Sequence, residues 1–185
     1  MEEPILSLNS TIHSSIKKAT LIKGTIYGAA GISLWLYGGI FLSPSVLATW
    51  GWVLLLLGGI FITLGLLPYR QLSYLENTPH QVKVDSLNEL YFALHGRILF
   101  KVSLEKVDEI AYLDDDKHYG IGLWIALTSK DITALHYSLD LPLYLEENQK
   151  KYFCDLFLPY FSKRSYHDLE EIYKNLKKES TIINE

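Results

Sequence analysis

Between Lys23 and Arg70 the chain carries no Asp, Glu, Lys, Arg or His, whereas charged and apolar residues interleave on both sides of that run. Its 46 positions would make about 69 Å of helix at about 1.5 Å per residue. A bilayer core is about 30 Å thick and takes about 20 residues to cross. One crossing is too few for this length and two fit. Ser43-Pro44-Ser45 divides the run, because proline disfavours continuing a helix and serines supply polar groups suited to an interface. The pattern therefore predicts a transmembrane helical hairpin, with spans over residues 24–42 and 46–67 and its tip at the Ser-Pro-Ser. The first apolar run has 19 residues, longer than the h-region of a signal peptide, and a second run follows, so it reads as a span and not a cleaved leader. Uncharged runs of this length also read as spanning and not as a buried soluble pair.

The flanks orient the hairpin. Lys17, Lys18 and Lys23 precede the first span and Arg70 follows the second, while the tip has no positive charge. The positive-inside rule places both termini in the cytoplasm. Trp35, Tyr37, Trp50 and Trp52 gather towards the tip, with Tyr69 and Tyr74 beyond the other end, as interfacial aromatic belts do.

Glycines recur every seven residues in each predicted span: Gly24, Gly31 and Gly38 in the first, Gly51, Gly58 and Gly65 in the second. Lipid tails give helices no hydrophobic reason to associate, so contacts are made where small residues let backbones approach. A seven-residue repeat keeps such residues on one stripe of a left-handed pair. Pairing 24 with 65, 31 with 58 and 38 with 51 centres the turn between Pro44 and Ser45. The two stripes are expected to face one another.

Outside the run the periods change. Ile5, Leu8, Ile12 and Ile16 stand at near-helical spacing, predicting an interfacial helix or an extension of the first span within a cytoplasmic segment 1–23. From about residue 75 to 180 a cytoplasmic domain is expected. "NELYFAL" and "RILFKVSL" flank His95-Gly96, and Ile98, Phe100, Val102 and Leu104 alternate, which predicts a hairpin with one buried face. "LEKVDEI" reads as a single helical turn, "DDDKHYGIG" as a polar connector, and "LWIALTS" and "ITALHYSL" as strands around a Lys130-Asp131 turn. An antiparallel meander of about five or six strands results. In "YLEENQKKYFCDLFLPYF" the pairs Tyr152-Phe153, Leu156-Phe157 and Tyr160-Phe161 recur every four residues, predicting one amphipathic helix broken near Pro159. Ser165 is expected to cap a second helix, with Leu169, Ile172, Tyr173 and Leu176 on its apolar stripe. The fold class is thus an α+β membrane protein.

A two-span hairpin followed by "HGRILFKVSLEKVDEIAYL" and "YGIGLWIALTS" resembles the bacterial pleckstrin-homology-like membrane proteins. Ser103-Leu104-Glu105-Lys106-Val107 stands where that family has its "PLEKI"-type turn, with serine in place of the frequent proline. Gly120-Ile121-Gly122 stands where it has a Gly-x-Gly. The resemblance covers the hairpin and about residues 85–130. It implies a pleckstrin-like sheet closed by C-terminal helices and a membrane-tethered binding or scaffold module, not an enzyme.

Charge and chemistry add exclusions. Residues 70–185 carry 14 Lys+Arg against 19 Asp+Glu, a net of −5, which argues against nucleic-acid binding and leaves weak contact with anionic headgroups at most, through Lys163-Arg164 or Lys177-Lys178. Asp114-Asp115-Asp116 with His118 offers oxygen ligands, but three consecutive carboxylates cannot converge on one ion. The six histidines lack metal-ligand spacing, and Cys154, the only cysteine, reads as packing. No P-loop, GxSxG or HExxH occurs. No cofactor, metal or catalytic residue is expected. The partners implied are the lipid bilayer and a protein partner or a second copy of the chain. Tyr152, Phe153, Leu156, Phe157 and Tyr160 form the expected partner surface if the last helix covers the sheet alone. The expected location is a bacterial inner membrane. The alternatives are an effector inserted into a host-derived membrane and an accessory subunit of a membrane complex.

Overall fold

The computed structural model describes residues 4–115, 118–125, 132–137 and 139–183. It divides into two compact units. One is Ile12–Asn77, and the other joins the segment up to Thr11 to everything from Thr78 onward.

The first unit consists of two antiparallel helices, α1 (Ser14–Phe41) and α2 (Pro44–Asn77). Pro44 opens α2, where its missing N–H is no loss, and Leu47 N donates to Ser43 O at 2.9 Å. Both helices outrun the predicted spans. α1 begins ahead of Lys17 and α2 continues through Pro68 to Asn77, where a Lys17–Glu76 ion pair joins the open ends.

In the second unit, β1 (Leu6–Asn9) pairs antiparallel with β2 (Gln81–Val84), Leu8 opposite Val82. This corrects the expected helix and the separate segment 1–23. Leu6 and Leu8 supply a two-residue period that the spacing of Ile5, Leu8, Ile12 and Ile16 concealed. The sheet continues through β3 (Glu89–Leu94) and β4 (Arg97–Ser103). Their turn has His95 at φ 52° and Gly96 at φ 76°, the two positive values of a type I′ hairpin, comfortable for glycine and strained for histidine.

A single 3₁₀ turn, Leu104–Lys106, then carries the chain to β5 (Val107–Asp115) and β6 (His118–Ile125). The expected polar connector is thus mostly strand: Asp114 pairs with Tyr119 and Asp115 with His118. The Lys130-Asp131 turn lies outside the described residues. β7 (Ile132–Ala134) returns to the first sheet beside β4.

α3 (Leu141–Tyr152) begins at Asp140, whose side chain accepts from Leu143 N, and ends at Phe153 in the left-handed region. β8 (Leu156–Pro159) follows and pairs with β6, Gly122 opposite Phe157. The single helix expected over these residues is therefore overturned. A spacing of four fits one helical turn and also two strand pleats, and here Leu156 and Leu158 alternate into the core while Phe157 turns to the opposite face, buried beneath Tyr152. Gly120 opposite permits the pairing: a Cβ there would run into the Leu158 carbonyl and come to 3.0 Å from the Phe157 ring.

α4 (Lys163–Ile183) is capped by Ser162, not Ser165; Ser165 N donates to Ser162 Oγ at 3.2 Å. The two antiparallel sheets, β1-β2-β3-β4-β7 and β5-β6-β8, share one core of Val82, Leu90, Phe92, Phe100, Val102, Ile121, Leu123, Leu156 and Leu158, with Leu169 inserted from α4. Tyr173 Oη of α4 also donates to Val107 O at 3.0 Å.

Candidate functional site

The helical pair is built on missing side chains. A Cβ on Gly24 would meet Gly65 O at 2.8 Å, and one on Gly31 would meet Gly58 O at 2.6 Å and Ile62 Cγ1 at 2.8 Å. The indole of Trp35 lies over Gly58 and donates from Nε1 to Leu55 O at 3.3 Å. The third expected pair is not formed. Gly38 meets Leu54, while Gly51 has only Leu47 of its own helix nearby. At this level the pair borders a cavity of about 110 Å³ lined in part by Trp35, Gly38, Gly51 and Leu54.

α2 is long and apolar enough to cross a membrane, with a mean hydropathy of 2.1 and only 11% of its most apolar window buried. A core helix of a soluble protein would be mostly buried. Among the described residues it is the one helix that passes this test, and the first of the two spans expected does not reach it. α1 falls short because glycine, serine, threonine and tyrosine dilute its apolar stretch: Gly24, Thr25, Tyr27, Gly28, Gly31 and Ser33 fall within ten residues.

In the β-domain the residues expected as a partner surface separate. Leu156 and Phe157 are buried, Phe157 beneath Tyr152 with ring centroids 3.9 Å apart. Phe153 is 81% exposed at φ 57°, an aromatic side chain in a conformation usually left to glycine. Its carbonyl accepts from Trp124 Nε1 at 2.9 Å. Tyr160, at φ 67°, belongs to a different place altogether.

That place is where the chain enters and leaves the β-domain. Ser10 N donates to His80 O and His80 N to Ser10 Oγ, each at 2.8 Å. Thr11 N donates to Tyr160 O at 2.8 Å, and the Tyr119 hydroxyl donates to Thr11 O. The His80 ring packs on Phe92, His95 and Tyr160 at centroid distances of 6.0, 5.8 and 5.9 Å. It is 4% exposed, and its Nδ1 is buried without a hydrogen-bond partner. Burial lowers its pKa from 6.5 to about 4, the Pro159 carbonyl that its other nitrogen meets works against this, and His95 adds a smaller push downward. A buried polar atom left unpaired costs about 1–3 kcal/mol. Sequence reasoning missed this cluster because its members come from five separated segments with no shared period or motif.

The remaining candidates resolve simply. Cys154 is buried in the bend between α3 and β8, and burial pushes its thiol up to about 12, so it is no thiolate nucleophile at neutral pH. Asp114 and Asp115 lie along a strand, Asp116 is outside the described residues, and no group of three or more His, Cys, Asp or Glu among the described residues is placed to hold a metal. Lys177 donates to Glu105 O at 3.3 Å, so half of one basic pair is engaged in holding α4. On the outer face of the first sheet Lys101 pairs with Glu89 at 2.7 Å, and Tyr91 Oη donates to Glu89 Oε2 at 2.7 Å. No family model, curated protein or solved structure matches the chain.

Proposed function

We propose that the chain is a membrane-tethered interaction or scaffold module without catalytic activity, in which α1 and α2 cross the bilayer together and display a pleckstrin-like β-domain in the cytoplasm. The observation that carries this reading is the packing of α1 against α2 through glycine backbones while large apolar side chains point outward. Ile26, Leu36, Ile40, Leu55, Leu56 and Leu66 are all exposed, which suits lipid and not water. α1 is too dilute to insert alone, yet between Lys23 and its end it carries no charge. Docked on α2 it hides its glycine backbone, and the pair inserts as one hairpin. Lys17, Lys18, Lys23 and Arg70 keep both ends inside.

The β-domain has its own core, so the hairpin serves it as an anchor. Two sheets over one core with an amphipathic C-terminal helix support the pleckstrin-like reading. Phe153 supports binding of a protein partner, since it holds a strained backbone and an exposed ring that contribute nothing to the core. Reporter fusions placed after Leu67 and between residues 43 and 45 test the anchor: an external signal at the tip and an internal one after Leu67 are expected, and an internal signal at the tip overturns the two-span arrangement. A photo-crosslinking residue at position 153 tests the module. A discrete protein adduct in living cells is expected, and labelling of lipid alone would refute it.

A further inference from the structure

The unexplained group in the β-domain is His80. It stands three residues beyond α2 and is bonded through its backbone to Ser10, at the other chain crossing. Thr11 is held by Tyr119 and Tyr160, and Tyr160 packs against the His80 ring. Both crossings therefore meet at His80, Ser10 through its backbone and Thr11 through Tyr160, on which the imidazole packs. The neutral ring fits, since one nitrogen meets the Pro159 carbonyl and the other lies against apolar and aromatic surface. A proton on Nδ1 would create a buried N–H with no acceptor and a cation in a dry site.

Apart from the Pro159 carbonyl at the other nitrogen, that cation finds no hydrogen-bond acceptor, and Nδ1 has none. From β3 comes Phe92, from the β3–β4 turn His95, and from the end of β8 Tyr160, itself packed on Tyr119 of β6. His95 beside the ring adds a smaller push against its protonation. We propose that His80 makes the two crossings an acid-released latch: the neutral ring holds Ser10 and Thr11 to the β-domain, and the protonated ring lets them go while the sheet core stays folded.

The sign follows from linkage. The closed latch binds the proton more weakly than the open one, so it is fully stable above the ordinary histidine pKa and weakens as pH falls from 6.5 towards 4. Each pH unit in that window favours opening by about tenfold, so roughly 30-fold accumulates by pH 5. Most carboxylates are still ionised there, so the latch opens before general acid unfolding.

Amide hydrogen exchange on the full chain in mild detergent, corrected for the intrinsic pH dependence, reads this directly. Between pH 7 and 5 the protection of Ser10, Thr11 and His80 should fall about 20-fold, while that of Phe92, Val102 and Ile121 holds. In His80→Phe, which keeps an aromatic ring without a titrating nitrogen, protection at Ser10 and Thr11 should not change with pH. His80→Gln repeats the comparison if the phenylalanine disturbs the core amides. Nitrogen-15 spectra of the unmutated chain give a measurement independent of variants, in which the His80 ring should remain neutral at pH 5.5 in the closed state. The latch is overturned by unchanged protection at pH 5, by the same loss in both variants, by simultaneous loss in the core, or by titration of His80 near 6.5.

Discussion

The two units bury opposite kinds of residue. In α1 and α2 the four buried residues are Gly31, Gly38, Gly58 and Gly65, while tryptophans, leucines and isoleucines lie outside. In the β-domain phenylalanines, leucines and valines fill the interior and most charged residues are exposed. One rule produces both: a surface goes where its environment accepts it. In water the apolar side chains must hide, at about 25 cal/mol per Å². In lipid they need not, and close backbone approach becomes the favourable contact. The inversion of the helical pair is what the proposed membrane anchor requires.

The comparison is broken most sharply by truncating a large apolar residue in each unit. Phe100 is fully buried between the sheets and touches Phe92 and Tyr144, so Phe100→Ala should destabilise the β-domain by about 3–5 kcal/mol. Leu55→Ala, at a site 63% exposed, should shift stability in detergent by about 0.5 kcal/mol or less. Denaturant titration followed by tryptophan fluorescence separates the two. Comparable losses would mean that the helices fold by the same rule as the sheet.

Next in size is the reverse substitution. Gly31→Leu drives a side chain into the Gly58 carbonyl and Ile62, and should weaken the helix pair by about 1–3 kcal/mol. Cysteines at 31 and 58 should crosslink readily and those at 31 and 51 should not; equal yields would remove the seam. β1 offers a third test. A fragment of residues 78–183 joined to residues 4–11 through a short glycine-serine linker should be more stable than 78–183 alone by about 2 kcal/mol, the burial of Leu8 accounting for most of it. Equal stability would make β1 ornamental.

How much of this could be read from the chain depends on which interactions leave a period. The helix break at Ser43-Pro44-Ser45, the glycine contacts at 24/65 and 31/58, and the His95-Gly96 turn each follow from local chemistry and were legible. β1 was not, because four residues pairing across a 70-residue excursion carry no local signal. The segment 152–161 misled because a spacing of four serves helix and strand equally, and only the pairing with β6 distinguishes them. The failed Gly38/Gly51 pair shows a similar limit: Leu54, a side chain outside the repeat, meets Gly38 in place of Gly51. His80 was invisible because burial among rings from separated segments is a property of the fold alone.

A smaller effect is expected at the entry to α4. Ser162 caps the helix and also meets the Ser165 hydroxyl at 3.0 Å. Ser162→Ala should lower β-domain stability by about 1 kcal/mol, whereas Ser165→Ala should leave the cap in place. A larger loss from Ser165→Ala would restore the capping assignment made from sequence.

The smallest effect expected is at the one feature the helical unit lacks between Lys23 and Arg70, a charged face. Lys101 and Glu89 pair across β3 and β4, and the hydrogen bond from Lys101, followed by that from Tyr91, holds the Glu89 carboxyl below its ordinary range. A carboxylate with a depressed folded pKa contributes stability above its unfolded pKa and loses it as pH falls through the folded value. The pair is partly exposed and has a Tyr91 hydroxyl to share, so the coupling should be about 0.2–1 kcal/mol at neutral pH. A double-mutant cycle of Glu89→Gln and Lys101→Met should find it at pH 7, find it reduced in 1 M salt, and find none once Glu89 is protonated. If the coupling persisted in acid, packing of the Lys101 stem against Tyr91 and not charge would be what holds the outer face. The polar surface of the β-domain would then obey the same contact-based rule as the glycine seam.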